Sequence, residues 1–181
     1  IIVKYGSYSV RKRAKRGTAY EIICPVQEAL SDTEIYVYLA SNVVEISSIA
    51  GLYCQFIDLQ GARRLRSFTA GAEADGYTNK NLTSISVGAN TLLEYLDLRG
   101  TPELKQALDL SALTSLKTLL LTGSGITGVT FALGAPVETA KLCPLNSLIA
   151  RQLSHLTAFA MDGSNLRTIW VEDAAAIDTY A

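Results

Sequence analysis

The 181-residue chain has one histidine, three cysteines, one tryptophan and few charged residues, which make up 18% of the sequence. Cys24, Cys54 and Cys143 lack the spacing of a metal site, and a single histidine makes a zinc centre improbable. No apolar run approaches the roughly 18 residues of a membrane-spanning helix, and no signal peptide opens the chain. We therefore expect no cofactor, no metal and no membrane span.

Neither positive nor negative charge predominates, since the net charge of the chain is only −1. Such a balance gives no global field that would attract nucleic acid or an anionic membrane. A basic run does occur at Arg11, Lys12, Arg13, Lys15 and Arg16, and it could contact phosphates. Because no aromatic residues are interleaved with it, a solvated loop is the simpler interpretation, and nucleic acid is not an expected partner.

What the sequence does contain is a repeat of the form apolar-x-apolar. The first residues of these motifs fall into couples that are always 11 residues apart (for example 96 − 85 and 119 − 108), whereas the steps between couples vary from 8 to 17. The six couples are Ile57/Phe68, Ile85/Leu96, Leu108/Leu119, Val129/Ala140, Leu148/Phe159 and Ile169/Tyr180. A fixed half and a variable half are typical of a coiling chain in which two short strands share one tight corner.

The repeat predicts a mainly β protein, a parallel β-solenoid with about 22 residues and two short strands per coil. Alternation within each strand places one face inside, so Asp97 and Asp109 should be exposed. The residues expected to be buried are Leu96, Leu119 and Phe159 on one sheet, and Ile85, Leu108, Val129 and Ile169 on the other.

The two ends of the chain differ from the repeat. Residues 1–30 do not fit its register and are predicted to form an N-terminal cap or junction, with the solenoid spanning 31–181 and its first strand at Ile35. Since the chain opens on Ile1 and stops at Ala181 within a strand pattern, we expect a segment of a longer polypeptide. An open final coil would continue into further coils or a partner, and the isolated segment should self-associate.

The segments Leu82–Val87 (LTSISV) and Leu93–Leu98 (LEYLDL) resemble leucine-rich repeats. The rest of the sequence, including residues 32–37, 75–79, 108–111 and 125–129, is similar to leucine-rich-repeat-like segments in virion proteins of tailed bacteriophages from the gut. The resemblance implies a non-enzymatic structural or docking module in a virion. The chain departs from ordinary leucine-rich repeats in having the asparagine that follows the strand only at Asn90, so no asparagine ladder is expected.

Two arrangements could in principle support catalysis. Asp58 and Asp109 stand two coils apart on one outward stripe, about 10 Å from each other, with Ser86 between them, and this separation resembles an inverting glycosidase pair. Cys143 and His155 could form a dyad. Neither arrangement has a visible activating partner, so a solvated face and a lone surface histidine are the simpler interpretations, and we expect no enzyme.

Four residues are candidates for partner binding. Tyr77 lies at the centre of the longest insert, residues 71–81, and Trp170 is predicted to point outward beside Thr168 and Glu172. Asp97 and Lys141 belong to the second outward stripe. The expected partners are other virion proteins or further coils of the same chain, and the expected location is the virion. The alternative is an adhesin-like module, extracellular or at a cell surface, that binds host-surface glycan or protein.

Overall fold

The structure is a computed structural model, which describes residues 2–5, 8–11, 35–38, 43–46, 55–70, 79–161, 163 and 165–178. The chain divides into two compact units, Ile1–Ser41 and Asn42–Ala181. The predicted boundary lay near residue 30. Cys24, Cys54, Tyr77 and the basic residues 12–16 lie outside the described residues.

The first unit contains a three-stranded antiparallel sheet. Strand β1 (Ile2–Tyr5) lies in the centre, between β2 (Tyr8–Arg11) and β3 (Ile35–Tyr38). We predicted that Ile35 would open the solenoid, one coil before Ile57. The structure instead pairs Ile35 with Tyr5 in an antiparallel ladder, so β3 belongs to the first unit. An apolar, β-branched strand such as this suits either sheet, and the periodicity did not distinguish them.

The second unit is a parallel β-solenoid of about five turns, roughly 21 residues apart, with almost no helix. Alternate strands form a six-stranded parallel sheet in which each strand pairs with the equivalent strand of the next coil. Its members are β4 (Glu45–Ile46), β6 (Ser67–Thr69), β8 (Tyr95–Asp97), β10 (Thr118–Leu120), β12 (Thr139–Leu142) and β14 (Ala158–Met161).

The remaining strands line the other side of the coils in two separate sheets. One contains β5 (Phe56–Asp58) and β7 (Ser84–Ser86), and the other contains β9 (Ala107–Leu110), β11 (Gly128–Phe131), β13 (Ser147–Arg151) and β15 (Thr168–Glu172). The backbone ladder is therefore interrupted between β7 and β9, although β8 and β10 remain paired in the same coils. A short helix, α1 (Ala175–Asp178), follows β15.

The predicted register is confirmed along most of the solenoid. Apolar side chains from both sides of the coils form one continuous core, while Asp109 is exposed. The predicted core residues Leu96, Leu119, Ile85, Leu108 and Val129 are all buried.

The last coil differs from the prediction. Ile169, expected inside, is 58% exposed, and Phe159 is only half-buried. The physical reason is the position of the strands: in the part of the chain that the structure describes, β15 has a single neighbour, β13. Helix α1 contacts β14, and both Ile177 on the helix and Ala174 just before it are buried, so the β14 side of the last coil is partly covered. Ile169 on β15 has no such cover among the described residues.

A common turn follows many of the strands. The backbone N–H of the third residue after an inward apolar position donates to the carbonyl of that position, as in Ala62 to Leu59 and Leu113 to Leu110, both at 2.9 Å. Where this residue is polar, its side chain adds a bond: buried Thr101 donates its hydroxyl to the Leu98 carbonyl at 2.7 Å. Asn90 is also buried and donates to the Leu59 carbonyl at 2.9 Å, linking two coils.

The coils are also linked by a charge ladder on the six-stranded side. Arg66, Glu94 and Lys117 each precede a strand, and each backbone N–H donates to the equivalent carbonyl of the preceding coil, at 2.8 Å for Glu94 and Lys117. The Glu94 carboxylate accepts bonds from Lys117 Nζ at 3.2 Å and from Arg66 Nη1. These two cations, Lys117 first, lower the pKa of Glu94 below its ordinary value of 4.5.

Replacing Glu94 with glutamine should make the protein less stable at neutral pH but not in acid. A carboxyl whose pKa is lowered by folding contributes stability above its unfolded pKa, and this contribution is lost as the pH falls through the folded pKa. Urea unfolding at about pH 7 and about pH 3 should therefore show a difference from wild type that disappears in acid. Glu103→Gln, which removes an exposed pair with Lys105 inside one loop, is the control and should change little. A Glu94→Gln deficit that persists in acid would contradict the charge ladder.

Candidate binding site

Three aspartates at strand ends have one local geometry. In Asp58, Asp97 and Asp109 the carboxylate Oδ1 accepts the backbone N–H two residues further on, at 2.9, 3.0 and 3.0 Å. This is an Asx turn, which fixes the corner after the strand. The shared function of the three aspartates is therefore to stabilise the turns. They differ in burial and in the other side chains that contact them.

Asp97 was predicted to be exposed, and this is wrong: it is 1% exposed. The strand register is not at fault, because the adjacent Leu96 is fully buried on the core side. The Arg99 guanidinium covers the Asp97 carboxylate and bonds to both oxygens, at 2.7 to 3.1 Å, and the Tyr95 hydroxyl donates to it at 3.3 Å. Burial, and then the Asp97 charge, raise the pKa of Tyr95. The contacts of Asp97 in the structure are thus with residues of its own coil.

Lys141 has the exposure that binding requires. It lies on β12, in register with Leu120 of β10 and Ala160 of β14, and its residue is exposed. The ladder aligns Asp97 with Leu120, so Asp97 and Lys141 are two strands apart, about 10 Å. Because Asp97 is covered by Arg99, the structure does not bring the two together as one charged site.

Trp170 points outward as predicted and is 52% exposed. The Arg151 guanidinium lies 4.2 Å from the centre of its ring, a cation–π arrangement, and Arg151 Nε donates to Glu172 Oε2 at 2.8 Å. Exposed Ile169 is the neighbouring residue on the opposite face of β15. The edge of the last coil, defined here by Arg151, Ile169, Trp170 and Glu172, therefore presents apolar surface on both faces of one strand.

The residues of the two arrangements considered for catalysis make local contacts in the structure. The N–H and hydroxyl of Ser111 hold Asp109, and the Ser111 bonds lower its pKa. A lowered pKa favours the ionised carboxylate and does not suit a general acid. Cys143 is buried, and its thiol donates to the Ile126 carbonyl at 3.2 Å. His155 is exposed, with Nδ1 3.5 Å from the Ser154 hydroxyl.

The sequence analysis did not predict the cleft that opens where the ladder between β7 and β9 is interrupted. Its volume is about 360 Å³. Gln106 takes the place of the missing backbone pairing: its Oε1 accepts the Ile85 N–H at 3.0 Å, and its Nε2 donates to the Ile85 carbonyl at 2.8 Å. We call this the sheet cleft; it is lined by Ile85, Ser86, Val87, Gly88, Gln106, Leu108, Asp109, Ser111 and Ala112.

The residue before each strand shows what is special about Gln106. At this position Thr83, Thr127, Asn146 and Arg167 each donate a backbone N–H to the equivalent residue of the preceding coil, at 2.7 to 2.9 Å. At Gln106 the side-chain amide connects the two coils instead, through its two bonds to Ile85. A sequence signal existed, since Leu108 follows Leu96 by 12 residues, a longer step than in the coils that follow.

Comparison with known proteins yields no match: no family model, no curated protein and no solved structure is similar to this chain. Within the described residues, no helix has the length and apolar character needed to cross a membrane. In that same part of the chain, no group of three histidine, cysteine or acidic side chains is placed to hold a metal ion.

Proposed function

We propose that this chain is a non-enzymatic structural and interaction module of a bacteriophage virion protein, in which the solenoid provides a rigid docking surface. The observation that carries the docking role is the edge of the last coil, where Ile169 and Trp170 are both more than half exposed. Within the stack, side chains equivalent to Ile169, such as Leu148 and Val129, are buried by their neighbours. An apolar strand edge that a neighbouring coil or subunit can cover is a natural interface.

The chemistry of this edge favours a specific contact over a purely apolar one. The bond to Glu172 holds the Arg151 guanidinium over the Trp170 ring. Because these side chains are already ordered, a partner that binds this surface loses little affinity to immobilising them. Tryptophan and arginine are the residue types that most often dominate binding energy at protein interfaces. The partners are other virion proteins or further coils of the same chain. The virion location rests on the sequence resemblance.

The test is hydroxyl-radical labelling of purified phage particles, followed by mass spectrometry, with the isolated protein labelled in parallel. Peptides of this chain should be recovered from the particles, and Trp170 should be oxidised several-fold less there than in the isolated protein, because a partner covers it. Phe56, which is 59% exposed on β5 and belongs to a different sheet from β15, is the internal reference. Absence of the chain from the particles would contradict the virion location. Equal labelling of Trp170 in both samples would contradict docking through this edge.

An adhesin-like module that binds host-surface glycan or protein is the second candidate. The observation that favours it is the sheet cleft, which combines apolar walls with the polar side chains of Ser86, Gln106 and Asp109. Small-molecule sites have this composition, and the volume of about 360 Å³ falls at the lower end of their range. The cleft and the edge of the last coil are separate surfaces with no lining residue in common, so the two candidates can be tested independently.

A further inference from the structure

The sheet cleft lies where β7 and β9, the strands of two consecutive coils, are not paired with each other. Everywhere else in the described solenoid, consecutive strands on this side are joined by a backbone ladder: β5 to β7, and β9 through β11 and β13 to β15. At the single interruption, the Gln106 amide bonds to both the N–H and the carbonyl of Ile85, in the place of a backbone ladder. The cleft is therefore a built feature of the coil stack.

The polar groups in the cleft have a definite remaining capacity for hydrogen bonds. The Ser86 hydroxyl oxygen already accepts a bond from Gln60 Nε2 at 2.7 Å, so its hydrogen is available to donate. Gln106 Nε2 uses one of its two hydrogens on Ile85. Asp109 is held by Ser111 with its pKa lowered, so it is an ionised acceptor with lone pairs to spare. Two donors and one charged acceptor thus line the same opening.

This set of groups discriminates between classes of ligand. An anion would meet the Asp109 carboxylate. An ammonium group would pair with Asp109, but it has no acceptor for the Ser86 and Gln106 donors. Hydroxyl groups both donate and accept, and so can satisfy all three. The apolar walls formed by Ile85, Val87 and Ala112 suit the C–H faces of a sugar ring.

We propose that the sheet cleft binds a neutral saccharide unit, with Asp109 accepting hydrogen bonds from its hydroxyl groups and Ser86 and Gln106 donating to them. The proposal extends the adhesin candidate by naming its site and ligand class. It does not depend on docking through the edge of the last coil, because the residues and the readout are different.

The structure offers a closely matched pair of variants. Asp109→Asn keeps the side-chain oxygen that accepts the Ser111 N–H but removes the charge. Asp58→Asn makes the same change in the same Asx turn on β5, and Asp58 does not line the cleft. Ser86→Ala removes one donor from the cleft wall. Thermal melts of all three variants show whether each is folded at the temperature of the binding measurement.

Binding is measured by saturation-transfer NMR and titration with the methyl glycosides of glucose, galactose, mannose and N-acetylglucosamine, and with n-butylamine as a cationic probe. At least one glycoside should bind the wild type and Asp58→Asn equally. Its affinity should fall about ten- to a hundredfold in Asp109→Asn, the range expected for loss of hydrogen bonds to a charged group, and less in Ser86→Ala. Three results would overturn the proposal: no glycoside binds the wild type, glycoside affinity is unchanged in folded Asp109→Asn, or only n-butylamine depends on Asp109.

Discussion

Truncating Leu119 to alanine is expected to lower the free energy of unfolding by about 2–5 kcal/mol. Leu119 is fully buried at the middle of the six-stranded sheet, between Leu96 of one neighbouring coil and Ala140 of the other. Removing its branched end leaves a cavity, and Ala140 is too small to fill it. Because each coil of a solenoid is stabilised mainly by its neighbours, one central truncation weakens two interfaces at once.

Urea unfolding followed by circular dichroism measures this loss. Leu133→Ala makes the same chemical change at a side chain that is 58% exposed, and it should alter the unfolding free energy by less than about 0.5 kcal/mol. The difference between the two variants therefore reports the burial of Leu119 alone. Similar unfolding midpoints for both variants would mean that Leu119 does not face the core and that the register is incorrect.

The buried positions inside the coil stack were predictable because equivalent residues recur at a constant spacing, which defines the strand register. Leu96 and Leu119 occupy equivalent places in consecutive coils, and any slip by one residue would place apolar side chains outside and polar ones inside in every coil. The constant spacing of 11 therefore identified the buried positions without knowledge of the loops. It also excluded long helices in the half-coils, in agreement with the almost helix-free solenoid.

The ends of the stack were less predictable, for a physical reason. Whether an inward residue is buried depends on the coil beyond it, and the apolar pattern is the same at the edge and in the middle. Ile169 fits the repeat as well as Leu148 does, yet it is 58% exposed because only β13 pairs with β15 among the described strands. Before the solenoid in the sequence, Ile35 has the right spacing but pairs with Tyr5 in the antiparallel sheet of the first unit.

The sheet cleft could not be derived from the repeat, because it is a departure from it. The pattern places Ile85 and Leu108 correctly inside, and both are buried. Between β7 and β9 the Gln106 amide bonds to Ile85 in the place of a backbone ladder, and periodicity does not address a side-chain contact of this kind. The longer step from Leu96 to Leu108 marks the coil in which the departure occurs, but it does not give its form.

Asp97 was misplaced because exposure was inferred from strand alternation alone. Alternation correctly turns its side chain away from the core, opposite to Leu96. A position outside the core is still buried when neighbouring side chains fold over it, and here Arg99 does so from two residues away. Since Arg99 is itself 30% exposed, the pair lies at the boundary between solvent and interior. Asp97 therefore tests whether a polar residue on the outer face helps to hold the solenoid together.

Replacing Asp97 with alanine is expected to cost about 2–3 kcal/mol of unfolding free energy. The change removes a two-oxygen bond to Arg99 and the acceptor of the Asx turn, and it leaves the Arg99 guanidinium against a buried site. The cost stays below that of a fully buried ion pair because water reaches Arg99.

Asp58→Ala is the matched control, since Asp58 has the same Asx turn but is exposed. It should cost less than about 1 kcal/mol, so the excess for Asp97→Ala isolates the contacts with Arg99 and Tyr95. Both variants are compared by urea unfolding at neutral pH. In Arg99→Ala, the Asp97→Ala change should cost markedly less, because its partner is already gone. Equal costs for the Asp97 and Asp58 variants would show that the turn, and not the buried ion pair, is what Asp97 contributes.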